Sequence, residues 1–158
     1  ASMNRLDDAL RNYQESLAIK KAKGDQRGEA ASLEQIADIQ DKQGKPDDAL
    51  TTYKGALALR REIRDQAGIA NSLIDMGSFY HDHAKPADAL TNFTEALQIE
   101  RQMGDLDTQA LCLHNIGSIK MDQGNYQDSL TYLEQAYELR QSYTFRRISP
   151  THCTIWPK

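Results

Sequence analysis

His81-Asp82-His83 and the neighbouring pair His114-Asn115 are where this chain of 158 residues comes nearest to metal or catalytic chemistry. Imidazoles and carboxylates bind zinc. On a helix, however, residues i and i+2 leave on opposite sides, so His81 and His83 do not converge on one ion. Two solvated histidines at a helix end are expected instead. His114 has no serine–base–carboxylate arrangement around it. Cys112 alternates with core positions and reads as a small buried hydrophobe, and Cys153 as a free thiol. The nine glycines are dispersed, with no glycine-rich loop to cradle a phosphate. The chain therefore reads as no enzyme, with no cofactor and no metal.

Composition narrows the remaining classes. Nineteen Lys and Arg stand against 23 Asp and Glu, a net charge of −4. A nucleic-acid binder would show a basic excess or stripe. No apolar run approaches the roughly 20 residues that span a bilayer, which predicts no membrane partner. Two cysteines are too few for a disulfide framework, so a cytoplasmic location is expected. Hydrophobic residues at 39% and aromatics at 7% suit a protein in which every element is half exposed.

The elements that must carry these residues repeat. Asp-Asp-Ala-Leu stands at 7–10 and 47–50, Ala-Asp-Ala-Leu at 87–90 and Gln-Asp-Ser-Leu at 127–130, three equal steps of 40 residues. Asp25, Asp65 and Asp105 keep the step, as do Gly44, Ala84 and Gly124, Tyr13, Tyr53 and Phe93, and Leu33, Leu73 and Leu113. Such self-similarity marks a tandem array. Within one period, Leu33, Ile36, Ala37 and Gln40 follow a helical rhythm, and so do Ala49, Tyr53, Ala56 and Leu57. Gly44-Lys45-Pro46 separates them, glycine ending one helix and proline opening the next. The spacing predicts helices at 5–23, 28–43, 46–63, 68–83, 86–103, 107–123 and 126–142. Gly77 and Gly117 recur where two helices must approach closely, with Ala49, Ala89 and Ser129 expected to face these positions. Tyr53, Phe93 and Leu133 are the large partners.

The pattern Ala-x-x-Leu-x-x-Ile/Met-Gly/Ala, then Gly-x-Pro/Tyr-x-x-Ala/Ser-Leu, then Tyr/Phe-x-x-Ala-Leu resembles the tetratricopeptide repeat. The 40-residue step and the junction Arg101-Gln102-Met103-Gly104-Asp105 are similar to its longer variety, carried by kinesin light chains, Leu-Gly-Asn-type adaptors and many bacterial regulatory proteins. The resemblance implies an all-α, right-handed superhelix (a solenoid) of antiparallel helix hairpins. It also implies a protein-interaction function without naming the partner. The array covers residues 5–142, with a half repeat at 5–24 and full repeats at about 27–64, 67–104 and 107–142. Residues 1–4 read as a cloning remnant and 143–158 as a non-repeat tail.

Stacked hairpins enclose a concave groove lined by the first helix of each pair. Its predicted lining comes in three sets: Ala31, Glu34, Gln35, Asp38, Asp41 and Lys42; Asn71, Ile74, Asp75, Ser78, His81 and Asp82; and Leu111, His114, Asn115, Ser118, Met121 and Asp122. Six acids and Lys42 give this face −5 of a chain total of −4. The expected partner is a protein or peptide segment carrying Lys or Arg, with Ile74, Leu111 and Met121 as apolar footing. One subtype of the family grips a terminal carboxylate with lysines and asparagines. Only Lys42 and Asn115 would favour that here, so such a clamp is not expected.

The array opens on a second helix, leaving Leu6, Leu10, Tyr13 and Leu17 without a covering neighbour, and reads as an excised piece of a longer protein. Beyond Glu138 there are no acids, while Arg140, Arg146, Arg147 and Lys158 are basic and Tyr143, Phe145, Ile148, Ile155 and Trp156 are apolar. The tail is expected to cap the last hairpin or to dock on the bare end or groove of a second copy. The leading function is a scaffold or adaptor. The alternative is a sensory or regulatory module of a signalling enzyme or transcription regulator.

Overall fold

In the computed structural model, residues 2–148 are described, with side chains over 5–142. Cys153, Ile155, Trp156 and the rest of the tail expectation beyond Ile148 lie outside these. The described residues form seven α-helices and no strand: α1 (Ser2–Lys23), α2 (Gln26–Lys42), α3 (Pro46–Glu62), α4 (Gln66–Asp82), α5 (Pro86–Met103), α6 (Leu106–Asp122) and α7 (Tyr126–Ile148). Each predicted helix is present, and the internal boundaries fall within two residues of expectation. The exceptions are terminal: α1 begins at Ser2, and α7 runs six residues past Ser142. Consecutive helices pack on one another throughout. The architecture is an all-α solenoid of helix hairpins.

Local chemistry sets the breaks. Pro46 and Pro86 open α3 and α5, where no amide hydrogen is needed. Asp25 accepts from the Gly28 amide at 2.9 Å, and Asp105 accepts from the Asp107 and Thr108 amides at 3.1 and 3.2 Å. Asp65 stands at the equivalent N-cap but makes no capping bond. Its carboxylate is taken by Arg60 at 2.6 Å. The turn after each first helix needs a left-handed residue, which Gly44 and Gly124 supply at φ 75° and 77°. Ala84 occupies the same place at φ 55°, a strained conformation for a residue with a Cβ.

One continuous apolar core threads from α2 to α7. Its register follows the small-against-large pattern. The three atoms nearest to a Cβ added at Gly77 would all belong to the Phe93 ring, the closest at 2.9 Å, and at Gly117 the nearest would be Leu133 at 3.0 Å. The large residue of the second helix thus fills the glycine notch, and the Ser129 carbonyl stands 3.3 Å from the same Cβ position at Gly117. Cys112 is fully buried, and burial, then Glu100, pushes its thiol up to about 12. It is an inert core residue at neutral pH.

Candidate functional site

The first helices α2, α4 and α6 present the predicted groove residues, and the structure sorts them into three groups. Glu34, Asp38 and Asp75 meet at the joint between α2 and α4. Glu34 is buried rather than groove-exposed: Arg60 Nη2 reaches its Oε2 at 3.1 Å, and the Ser72 hydroxyl donates to its other oxygen. Arg60 also holds Asp65, so one guanidinium serves the buried Glu34 and the partly buried Asp65. Burial works against the charge on Arg60, but its bonds to Glu34 and then Asp65 hold it protonated. Asp38 accepts from the Tyr53 hydroxyl. Burial and that contact raise the tyrosine far above its ordinary range, so it remains a donor.

Asp75 is different. It is partly buried and has no hydrogen-bond or ion-pair partner among the described residues. Burial, then the charges of Glu34 and Asp38, push its carboxyl up to about 7, opposed only by Arg60. Three acids therefore share a joint whose single arginine is already committed to Glu34 and Asp65.

A second group forms the seam at the C-terminal ends of the same helices. His81 Nε2 lies 2.9 Å from Asp122 in the following repeat, and His83 Nε2 lies 2.7 Å from Asp41 in the preceding one. The two imidazoles diverge as helical spacing requires, each bridging a different pair of hairpins. His83 also lies against the Phe79 ring, centroids 4.4 Å apart. Among the described residues no group of three or more His, Cys, Asp or Glu is arranged to hold a metal.

The third group is open. Asn71, Ser78 and Asp82 on α4 and Leu111, His114, Met121 and Asp122 on α6 are exposed, with Asn115 and Ser118 half-buried among them. Leu111 and Met121 show 40% and 48% of their surface. Ile74 turns partly inward and packs on the core. Sequence reasoning missed Arg60, Tyr53 and the two histidine bridges as determinants of the groove. Arg60 carried little signal: its register-mates at the 40-residue step are Lys20, Glu100 and Arg140, so the position is basic at every step but one.

The tetratricopeptide repeat family matches residues 1–62, 29–102 and 109–142. Among solved structures, BtubC (BKLC) from P. vanneervenii is 20% identical with a TM-score of 0.78, over 98% of this chain and 62% of that one. The chain thus spans less than two thirds of that protein, and the likeness is one of fold. Two structures of MamA are 15% and 14% identical, cover 90% and 96% of this chain and 93% and 100% of theirs, with TM-scores of 0.43 and 0.41. No curated protein matches the sequence. No helix of the described residues is long and apolar enough to cross a membrane.

Proposed function

The chain belongs to the tetratricopeptide repeat family, whose repeats serve protein–protein interaction and are generally non-catalytic, and on that premise we propose that it is a scaffold or adaptor module that binds a Lys- or Arg-bearing polypeptide segment in its acidic concave groove. The observation that carries this is Asp75, a carboxyl without a counter-ion beside two further acids. A cation laid there by a partner would stabilise the ionised form and displace a proton. Leu111 and Met121 supply the apolar footing one repeat further along. The module works in the cytoplasm, as part of a longer protein. Self-association belongs to the same reading, through the bare N-terminal end of the array and the C-terminal tail; Leu130 and Tyr137 on α7, 51% and 62% exposed, add apolar surface at the last hairpin.

The test is fluorescence anisotropy with a labelled Lys/Arg-rich peptide and with its Glu-substituted counterpart. The basic peptide should bind, more tightly at pH 8 than at pH 6, and less tightly as salt rises because exposed charges are screened beyond about 8 Å at physiological ionic strength. Reversing Asp75, Asp82 and Asp122 to Lys together should lower its affinity at least tenfold. Equal binding by the triple variant would place the partner surface elsewhere.

A further inference from the structure

We infer that the cleft between α5 and α7, on the face opposite the groove, is a second binding site that takes a carboxylate-bearing segment of a partner polypeptide. One joint of the array differs here from the next. Between α3 and α5, Arg61 Nη2 meets Glu95 at 2.8 Å, tying the two second helices together. Tyr80 of the intervening first helix is nearly buried there. Forty residues on, Arg101 stands in the place of Arg61, but Gln135 replaces Glu95 and Lys120 replaces Tyr80. The bridge has lost its acid and the ring has become a cation.

The result is an open hollow of about 460 Å³ that both cations line, with Leu97 and Ile116 beside them. A neighbouring hollow of about 360 Å³ shares Arg101 and Gln135 and extends it. Each is within the range of roughly 300–1,000 Å³ typical of ligand pockets. Neither Arg101 nor Lys120 has an ion-pair partner among the described residues. The hydroxyls of Thr94 and Thr131 add polar contacts; with Asp128 on its rim the larger hollow carries +1, and Glu138, which lines the neighbouring hollow beside Arg101, brings the two together to neutral. So small a charge suits a carboxylate better than a phosphate dianion. A planar guanidinium also matches a carboxylate in paired hydrogen bonds, so a partner's Glu or Asp would take the position that Glu95 occupies one joint earlier. An apolar side chain beside it would rest on Leu97 and Ile116. The second site thus has the opposite charge preference to the concave groove.

The array itself supplies the control variants. Gln135→Glu restores the acid of the preceding joint and should fold at least as well as the parent. The probe is acetyl-Ala-Glu-Phe-Ala-amide, with the Gln-containing tetrapeptide as its neutral counterpart, titrated into the 15N-labelled full chain. The Glu peptide should shift the amides of Lys120, Thr131 and Gln135, with the Gln peptide at least tenfold weaker. Gln135→Glu should weaken the Glu peptide at least tenfold while the melting temperature holds or rises, and Arg101→Gln should weaken it similarly. Equal binding of the two peptides, undiminished binding by Gln135→Glu, or shifts confined to α2 and α4 would each overturn the assignment. So would inorganic phosphate alone shifting the same amides at lower concentration than the Glu peptide, which would make the cleft a phosphate site.

Discussion

Replacing Asp75 by Asn should stabilise the protein, and by an amount that grows with pH. Folding brings the Asp75 carboxyl from its ordinary value of 3.8 up to about 7, because it is buried beside Glu34 and Asp38. The folded state therefore binds the proton more tightly than the unfolded chain, and stability is lost as pH rises from about 4 to about 7. The full shift corresponds to a ceiling of about 4 kcal/mol at pH 8. Solvent at the rim of the groove reduces this to roughly 2 kcal/mol. At pH 5 the same linkage yields less than half the pH 8 figure, since pH 5 lies only about one unit above the unfolded value and most of the shift is still to be traversed. Asn has the shape of the protonated acid and no charge to desolvate, so Asp75→Asn should be more stable than the parent by about 2 kcal/mol at pH 8, with the gap narrowing toward pH 5. Urea denaturation followed by circular dichroism at pH 5, 6.5 and 8 measures this directly. A variant less stable than the parent at pH 8, or a gap independent of pH, would refute an uncompensated carboxyl at this joint. Either result would also remove the chief support for a cation-seeking groove.

Gly77→Leu drives a side chain into the Phe93 ring, which already lies 2.9 Å from where the Cβ would be. It should cost about 3 kcal/mol by overpacking, read as a lowered melting midpoint in circular dichroism. Arg60→Met leaves the buried Glu34 without its cation and the partly buried Asp65 with only Arg27 at 3.8 Å, and should cost about 3–5 kcal/mol in urea denaturation. A loss below about 1 kcal/mol would mean that the pair is solvent-screened. Ala84→Gly relieves the left-handed strain at φ 55° and should raise stability by about 1 kcal/mol, visible by scanning calorimetry.

How much of this could be read beforehand depended on whether a feature repeats. The hairpins were legible because Gly44, Pro46, Gly77 and Phe93 each meet a steric demand that recurs every 40 residues, and a recurring demand leaves a recurring letter. The groove face was legible as a surface, since helical spacing places Asp38, Asp75, Ser78 and Asp122 on first helices. Its electrostatics were not. Glu34 looked like one more groove acid, but Arg60, 26 residues away on α3, reaches across and binds it in the interior. Helical periodicity assigns a face to a residue without revealing what arrives from a neighbouring element. Gly28 and Gly68 show the same limit: a Cβ at either would stand 2.2–2.4 Å from the Asp25 or Asp65 carboxylate, a constraint that exists only once the junction is folded.

Function in an array of this kind is written in the departures from its repeat. A position that keeps its residue type in each full repeat, such as the buried Ala30, Ala70 and Ala110, answers to packing that every hairpin shares. A position that changes type while its surroundings stay constant answers to something local. Position 34 reads Glu, Ile, His at successive steps, and position 35 reads Gln, Asp, Asn. Together they gather acids at the α2–α4 joint and place His114 and Asn115 at the equivalent positions of α6. On the opposite face, the changes Glu95 to Gln135 and Tyr80 to Lys120 open a cationic cleft where the previous joint is bridged and filled. The scaffold thus tolerates polarity of either sign at equivalent sites because those sites lie outside the glycine–aromatic contacts that set helix spacing. Stability and recognition occupy different registers of the same 40-residue period, so recognition can diverge between repeats while the core stays fixed.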